Sequence, residues 1–109
     1  MQTPRVTLST ALVLHAVAQG YRYGFDLIEA TGLGSGTVYP ILRRLEHAGL
    51  LAGERERVRE AHAAGRPARR YYTITGAGAG ALREMLARHP GVPAMLRATP
   101  PAAPTPVPA

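Results

Sequence analysis

Apolar positions recur through the first half of the chain at helical spacing. In "LSTALVLHAVAQG", residues 8–20, almost every position is apolar, which predicts a buried first helix stopped by Gly20. "YRYGFDLIEATG" carries Phe25, Leu27 and Ile28 and closes on Gly32, a short second helix. In "GSGTVYPILRRLEHAGLL", Val38, Ile41, Leu42 and Leu45 fall at i, i+3, i+4 and i+7, one stripe turned to a core. The other face of this third helix carries Tyr39, Arg43, Arg44 and His47. Ser35 or Thr37 is expected to cap it, with Pro40 near the first turn; a start at Ser35 would strain the chain at the proline.

After Gly49 the period changes. "LLAGERERVRE" and "ARRYYTIT" read as two strands, joined through "AHAAGRP" into an antiparallel hairpin with an Arg-bearing tip. One of Tyr71 and Tyr72 should then be buried and the other exposed. "GALREMLARH" places Ala81, Leu82, Met85 and Leu86 on one stripe of a fourth helix, weakened at its start by glycines. From Pro90 onward seven of the ten prolines crowd into twenty residues, and no regular helix or sheet is expected there. The predicted organisation is a folded unit over residues 1–89, with a C-terminal dimerisation helix, and a Pro/Ala-rich disordered tail over 90–109.

Charge gives this pattern a partner. The net charge is +6 and the pI about 10.8, so a polyanion is the first candidate. Every basic residue is Arg, and eight of the thirteen lie between Arg43 and Arg70 against four acids, so the positive charge sits on the third helix and the hairpin. The chain has no Cys, which excludes disulfides and thiolate metal sites. It has no apolar run of bilayer length and no secretory layout at its start, so a cytoplasmic protein without a membrane partner is expected.

Helix, helix, helix, strand, strand is the order of a winged helix-turn-helix, an α+β fold that is mostly α, in which the third helix enters the major groove and the hairpin wing follows the backbone. On that reading Arg43 reads a base edge and Arg44 a phosphate, while Ser35, Thr37 and Tyr39 position the helix end on phosphates. Arg66, Arg69 and Arg70 of the wing neutralise phosphates, with Arg70 alternatively paired to an acid on the neighbouring strand. Tyr23 either reaches phosphate or packs on the core. The first helix is more apolar than one face requires and the fourth has no later element to cover it. Leu8, Leu12, Leu82, Met85 and Leu86 are therefore expected at a homodimer interface, with Leu82, Met85 and Leu86 buried only in the dimer.

Other chemistries fit less well. "GLGSGT" invites a phosphate-cradle reading, but a P-loop needs a Lys, and a dinucleotide fingerprint needs a strand where "FDLIEAT" reads as helix. His15, His47, His62 and His89 form no nucleophile–base or metal-ligand spacing, so no catalytic residue, metal or cofactor is expected; His15 is assigned to the core. A winged-helix interaction module or antirepressor without specific DNA binding is the alternative to a DNA-binding regulator.

Three linked blocks, "YGFDLIE", "GTVYPILRRLEHAGLL" and "GRPARRYYTITGAGAGAL", together resemble the PadR family of transcriptional regulators over about four-fifths of the chain. The resemblance implies a homodimer on an inverted-repeat operator, acting as a repressor released by a small molecule or another signal. Longer members continue into a helical dimerisation domain; this sequence resembles the short form, with one helix and the Pro-rich tail.

Overall fold

A central helix organises the molecule, whose structure is a computed structural model describing residues 7–65 and 68–96. Helix α1 (Leu8–Ala18) buries every residue from Thr10 to Val17 and touches α2 (Gly24–Thr31), α3 (Ser35–His47), β2 (Arg70–Ile74), α5 (Gly76–Arg88) and α6 (Val92–Met95). Its all-round apolar sequence is thus used within one chain. Thr7 caps it, its side chain accepting the Thr10 N–H at 3.1 Å, and Gly20 turns the chain away with φ 106°. Between α3 and β2 lie β1 (Leu51–Arg55) and α4 (Val58–Ala63).

Helix α2 ends as expected on Gly32, in the left-handed conformation that a Cβ disfavours, with its N–H donating to Ile28 O at 2.9 Å. Helix α3 departs from expectation at its start. Gly34 is the N-cap residue and no side chain caps the helix, so neither Ser35 nor Thr37 has that role; the N–H groups of Thr37 and Val38 both donate to the Gly34 carbonyl. The helix begins at Ser35, which leaves Pro40 inside it. Pro40 has no N–H to offer the carbonyl of Gly36, but that end of the helix is exposed and water can satisfy it.

Strands β1 and β2 pair antiparallel, in register from Leu51↔Ile74 to Arg55↔Arg70. The chain ahead of α2 joins the free edge of β2, through a bridge between Tyr23 and Tyr71 and a 2.8 Å bond from the Tyr72 N–H to Arg22 O. The expected first strand is too long by its second half: Val58 onward is helical, and α4 seats its buried Ala61 while Val58 faces solvent. Tyr72 is buried, as alternation expects of one of the two, whereas Tyr71 is half-buried and not exposed, with Tyr23 bridged to it and packed on its ring.

Helix α5 starts at Gly76, earlier than its glycines suggest. Thr75 caps it, accepting the Gly78 N–H at 3.0 Å and donating to Gly49 O at 2.7 Å. Gly78 is there for space: a Cβ would overlap the Leu50 carbonyl and come within 2.8 Å of Ile74 Cγ1. Leu82 and Met85 are 8% and 3% exposed in the single chain, against the expectation that a dimer alone would bury them; their stripe is covered because α5 packs on α1. The chain beyond Pro90 also departs from expectation. Helix α6 forms a single turn that buries Val92 completely and brings Leu96 onto the core, so the packed unit runs past residue 89. Residues 97–109 of the expected tail lie outside the described residues.

Three helices, a two-stranded antiparallel wing and further C-terminal helices make this a winged helix-turn-helix.

Candidate nucleic-acid interface

The setting of α3 is fixed from below. Val38, Ile41, Leu42 and Leu45 are all buried, each contributing roughly 1.5 to 3 kcal/mol. The same rotation exposes Tyr39, Arg43, Arg44 and His47, with Ser35 and Thr37 exposed in the first turn. Tyr39 is held against α2: a Cβ at Gly24 would stand 2.5 Å from both its Cε1 and its Oη.

An open cleft of about 710 Å³ runs between α3 and the wing, lined by Tyr39, Arg43, Glu46, His47, Arg70 and Tyr72. It brings Arg43, Tyr39 and Arg70 together, whereas Arg44 is exposed outside it. Arg70 does not stand free for phosphate, nor does it pair with an acid on the neighbouring strand. Its guanidinium is paired with Glu46 of α3, and this hydrogen bond and charge raise its pKa further above the ordinary arginine value. The phenol of Tyr72, behind it, is pushed above its usual value by burial.

The base of the wing holds a second cluster. The Arg69 guanidinium carbon lies 3.8 Å from the centroid of the Tyr23 ring, a cation–π contact, and Tyr23 meets Tyr71 edge to face at 6.3 Å. The Tyr23 hydroxyl donates to Glu56 Oε2 at 3.3 Å, and the Arg69 N–H donates to Glu56 Oε1 at 3.2 Å. Tyr23 is therefore half-buried in the wing's own packing, and its ring carries Arg69 at the surface. Tyr71 donates across the strands to Glu54 at 2.7 Å. Arg66 lies outside the described residues.

Of the residues expected at a dimer interface, Leu8 is exposed, Leu86 is half-buried, and Leu12, Leu82 and Met85 belong to the core. Sequence reading passed over Glu46, although its position three residues after Arg43 and seven after Tyr39 puts it beside both on a helix.

Among the described residues no group of His, Cys, Asp or Glu could hold a metal ion. No described helix is long and apolar enough to cross a membrane.

Comparison with known proteins places this geometry in a family. Residues 13–84 match the transcriptional regulator PadR-like family. A solved structure of a PadR family transcriptional regulator from Eggerthella lenta DSM 2243 superposes with a TM-score of 0.58 at 30% identity, covering 76% of this chain and 75% of that one. No curated protein matches. The family match spans α3 and the wing, the elements that build the cleft, together with most of α5, and its members are regulators of transcription rather than enzymes. The chain belongs to the PadR-like family of transcriptional regulators.

Proposed function

We propose that this regulator binds DNA sequence-specifically as a homodimer on an inverted-repeat operator, acts as a repressor, and works in the cytoplasm. The observation that carries the reading is the outward face of α3, where Arg43 and Tyr39 line a cleft closed on its other side by the wing. Arg43 reads a guanine edge, which an arginine can grip through O6 and N7 together. Arg44, Ser35, Thr37 and Tyr39 fix the helix on phosphates, and Tyr23 supports Arg69 for the same purpose. Arg66 adds to the wing's phosphate contacts.

Two copies would put their α3 helices about 34 Å apart, one turn of DNA. Repression, and its release by a small molecule or another signal, follow from the family resemblance. The dimer surface is drawn from Leu8 and Leu86, while Leu12, Leu82 and Met85 support it from within.

Selection from a random DNA pool tests the reading. An inverted repeat with half-sites one turn apart is the expected result, and equal retention of all duplexes would overturn it in favour of an interaction module. Light scattering on the wild type and on Leu8→Asp checks the dimer. An Asp at Leu82 or Met85 would instead unfold the chain, because both are core residues.

A further inference from the structure

The Glu46–Arg70 pair is placed where a DNA-binding surface gains least from an acid. It lies in the cleft that the proposed function gives to DNA, and a carboxylate there repels phosphate while cancelling one of the wing's positive charges. Its surroundings show what it does. Arg70 is on β2 and Glu46 on α3, so the pair ties the wing to the helix. It lies flat over Gly53 of β1: a Cβ there would stand 2.7 Å from Arg70 Nη2, 2.8 Å from Arg70 Nε and 2.8 Å from Glu46 Oε2. Gly53 has an ordinary strand backbone, and it is the ion pair above it that leaves no room for a side chain. The residue opposite Gly53 in the register is Tyr72, whose ring lies 5.9 Å from the Arg70 guanidinium carbon. One side chain from α3, one bare backbone position on β1 and two side chains from β2 thus converge on a single joint.

We propose that Glu46 is a positioning residue for DNA recognition, acting with Gly53 and Arg70 as a strut that fixes the angle between α3 and the wing. Arg70 then serves the strut and makes no phosphate contact of its own. The benefit to binding is pre-organisation: helix and wing meet the duplex already set, so no ordering is left to be done when the complex forms. This inference rests on the DNA-binding reading above.

The sign of one substitution separates the strut from simple electrostatics. Removing the Glu46 charge should tighten binding if only phosphate repulsion matters, and weaken it if the strut matters. Wild type, Glu46→Gln, Gly53→Ala and the exchange Glu46→Arg with Arg70→Glu would be compared by fluorescence anisotropy on the selected operator and on a random duplex. Amide hydrogen exchange over β1 and β2 in the absence of DNA gives a second readout. Glu46→Gln and Gly53→Ala are each expected to weaken operator binding roughly two- to fivefold, the range of an exposed ion pair. Both should lower operator-over-random discrimination and speed exchange in the wing, and the charge exchange should recover part of each loss. Gly53→Ala matters most here, since it changes no charge. Unchanged or tighter operator binding by Glu46→Gln, or wing exchange unaltered in Gly53→Ala, would overturn the role given to Glu46. Wild-type protein that bound no duplex would overturn the DNA reading instead, and the exchange data would still report whether the joint holds the wing.

Discussion

Tyr39 of α3 rests its ring edge and hydroxyl on the backbone of Gly24, the first residue of α2, so closely that a Cβ would come within 2.5 Å of two ring-end atoms. The contact aims a side chain on the exposed face of α3. In Gly24→Ala the ring must swing away, which its exposure allows, and the gain in helix propensity offsets part of the lost contact. Thermal unfolding should therefore change little while operator affinity falls clearly. A variant that loses stability yet binds the operator normally would remove Tyr39 from the interface.

Arg43 is expected to carry base reading. Arg43→Ala should cost roughly 1 to 3 kcal/mol of operator binding and relax preference at one half-site position. Titration of operator and random duplex side by side checks this, and equal losses on both would make Arg43 a phosphate contact.

Arg69 and Arg70 adjoin in sequence and should behave differently in salt. Arg69 is stacked on the uncharged ring of Tyr23, so Arg69→Ala should flatten the dependence of log K on log salt by about one unit. Arg70 is already neutralised by Glu46, and Arg70→Gln should leave that slope almost unchanged while lowering affinity. Affinity measured over a series of salt concentrations distinguishes them.

His15 gives the fold an acid-side weakness. It is buried on α1, its Nδ1 makes no hydrogen bond among the described residues, and burial holds its pKa below the ordinary value of 6.5. The unfolded chain therefore takes up a proton near pH 6.5 that the folded chain refuses. Stability is full above that pH and is lost as pH falls from about 6.5 toward the depressed folded value. Unfolding midpoints between pH 7.5 and 5.5 should show the decline, and His15→Leu should reduce it; an identical decline in both proteins would place its source elsewhere.

The parts of the fold that the sequence carried are those set by period. Val38, Ile41, Leu42 and Leu45 mark one face and are all buried, and the order of helices and strands sufficed for the winged helix-turn-helix. Two short helices were missed for physical reasons. Among the described side chains of α4 Ala61 alone is buried, so a single alanine carries the helical signal amid alternating charges that resemble a strand. At α6 the prolines obscure Val92, which opens the helix, and Leu96, which follows it. The stripe on α5 was legible but its partner was not, because nothing in "LREML" says that α1 covers it. The same holds for Glu46 and Arg70: residues 24 positions apart meet only once the wing has folded onto α3.

The placement of α1 bears on how the chain reaches this state in a cell. Helix α1 leaves the ribosome before α5 and α6 are made, yet owes part of its burial to them. Until they emerge, a nearly all-apolar segment lacks its cover, and it is long-range closure that completes the core. Synthesis thus passes through a stage with an adhesive, incompletely covered α1, at which a chaperone that holds apolar segments would act, and which ends when Val92 docks.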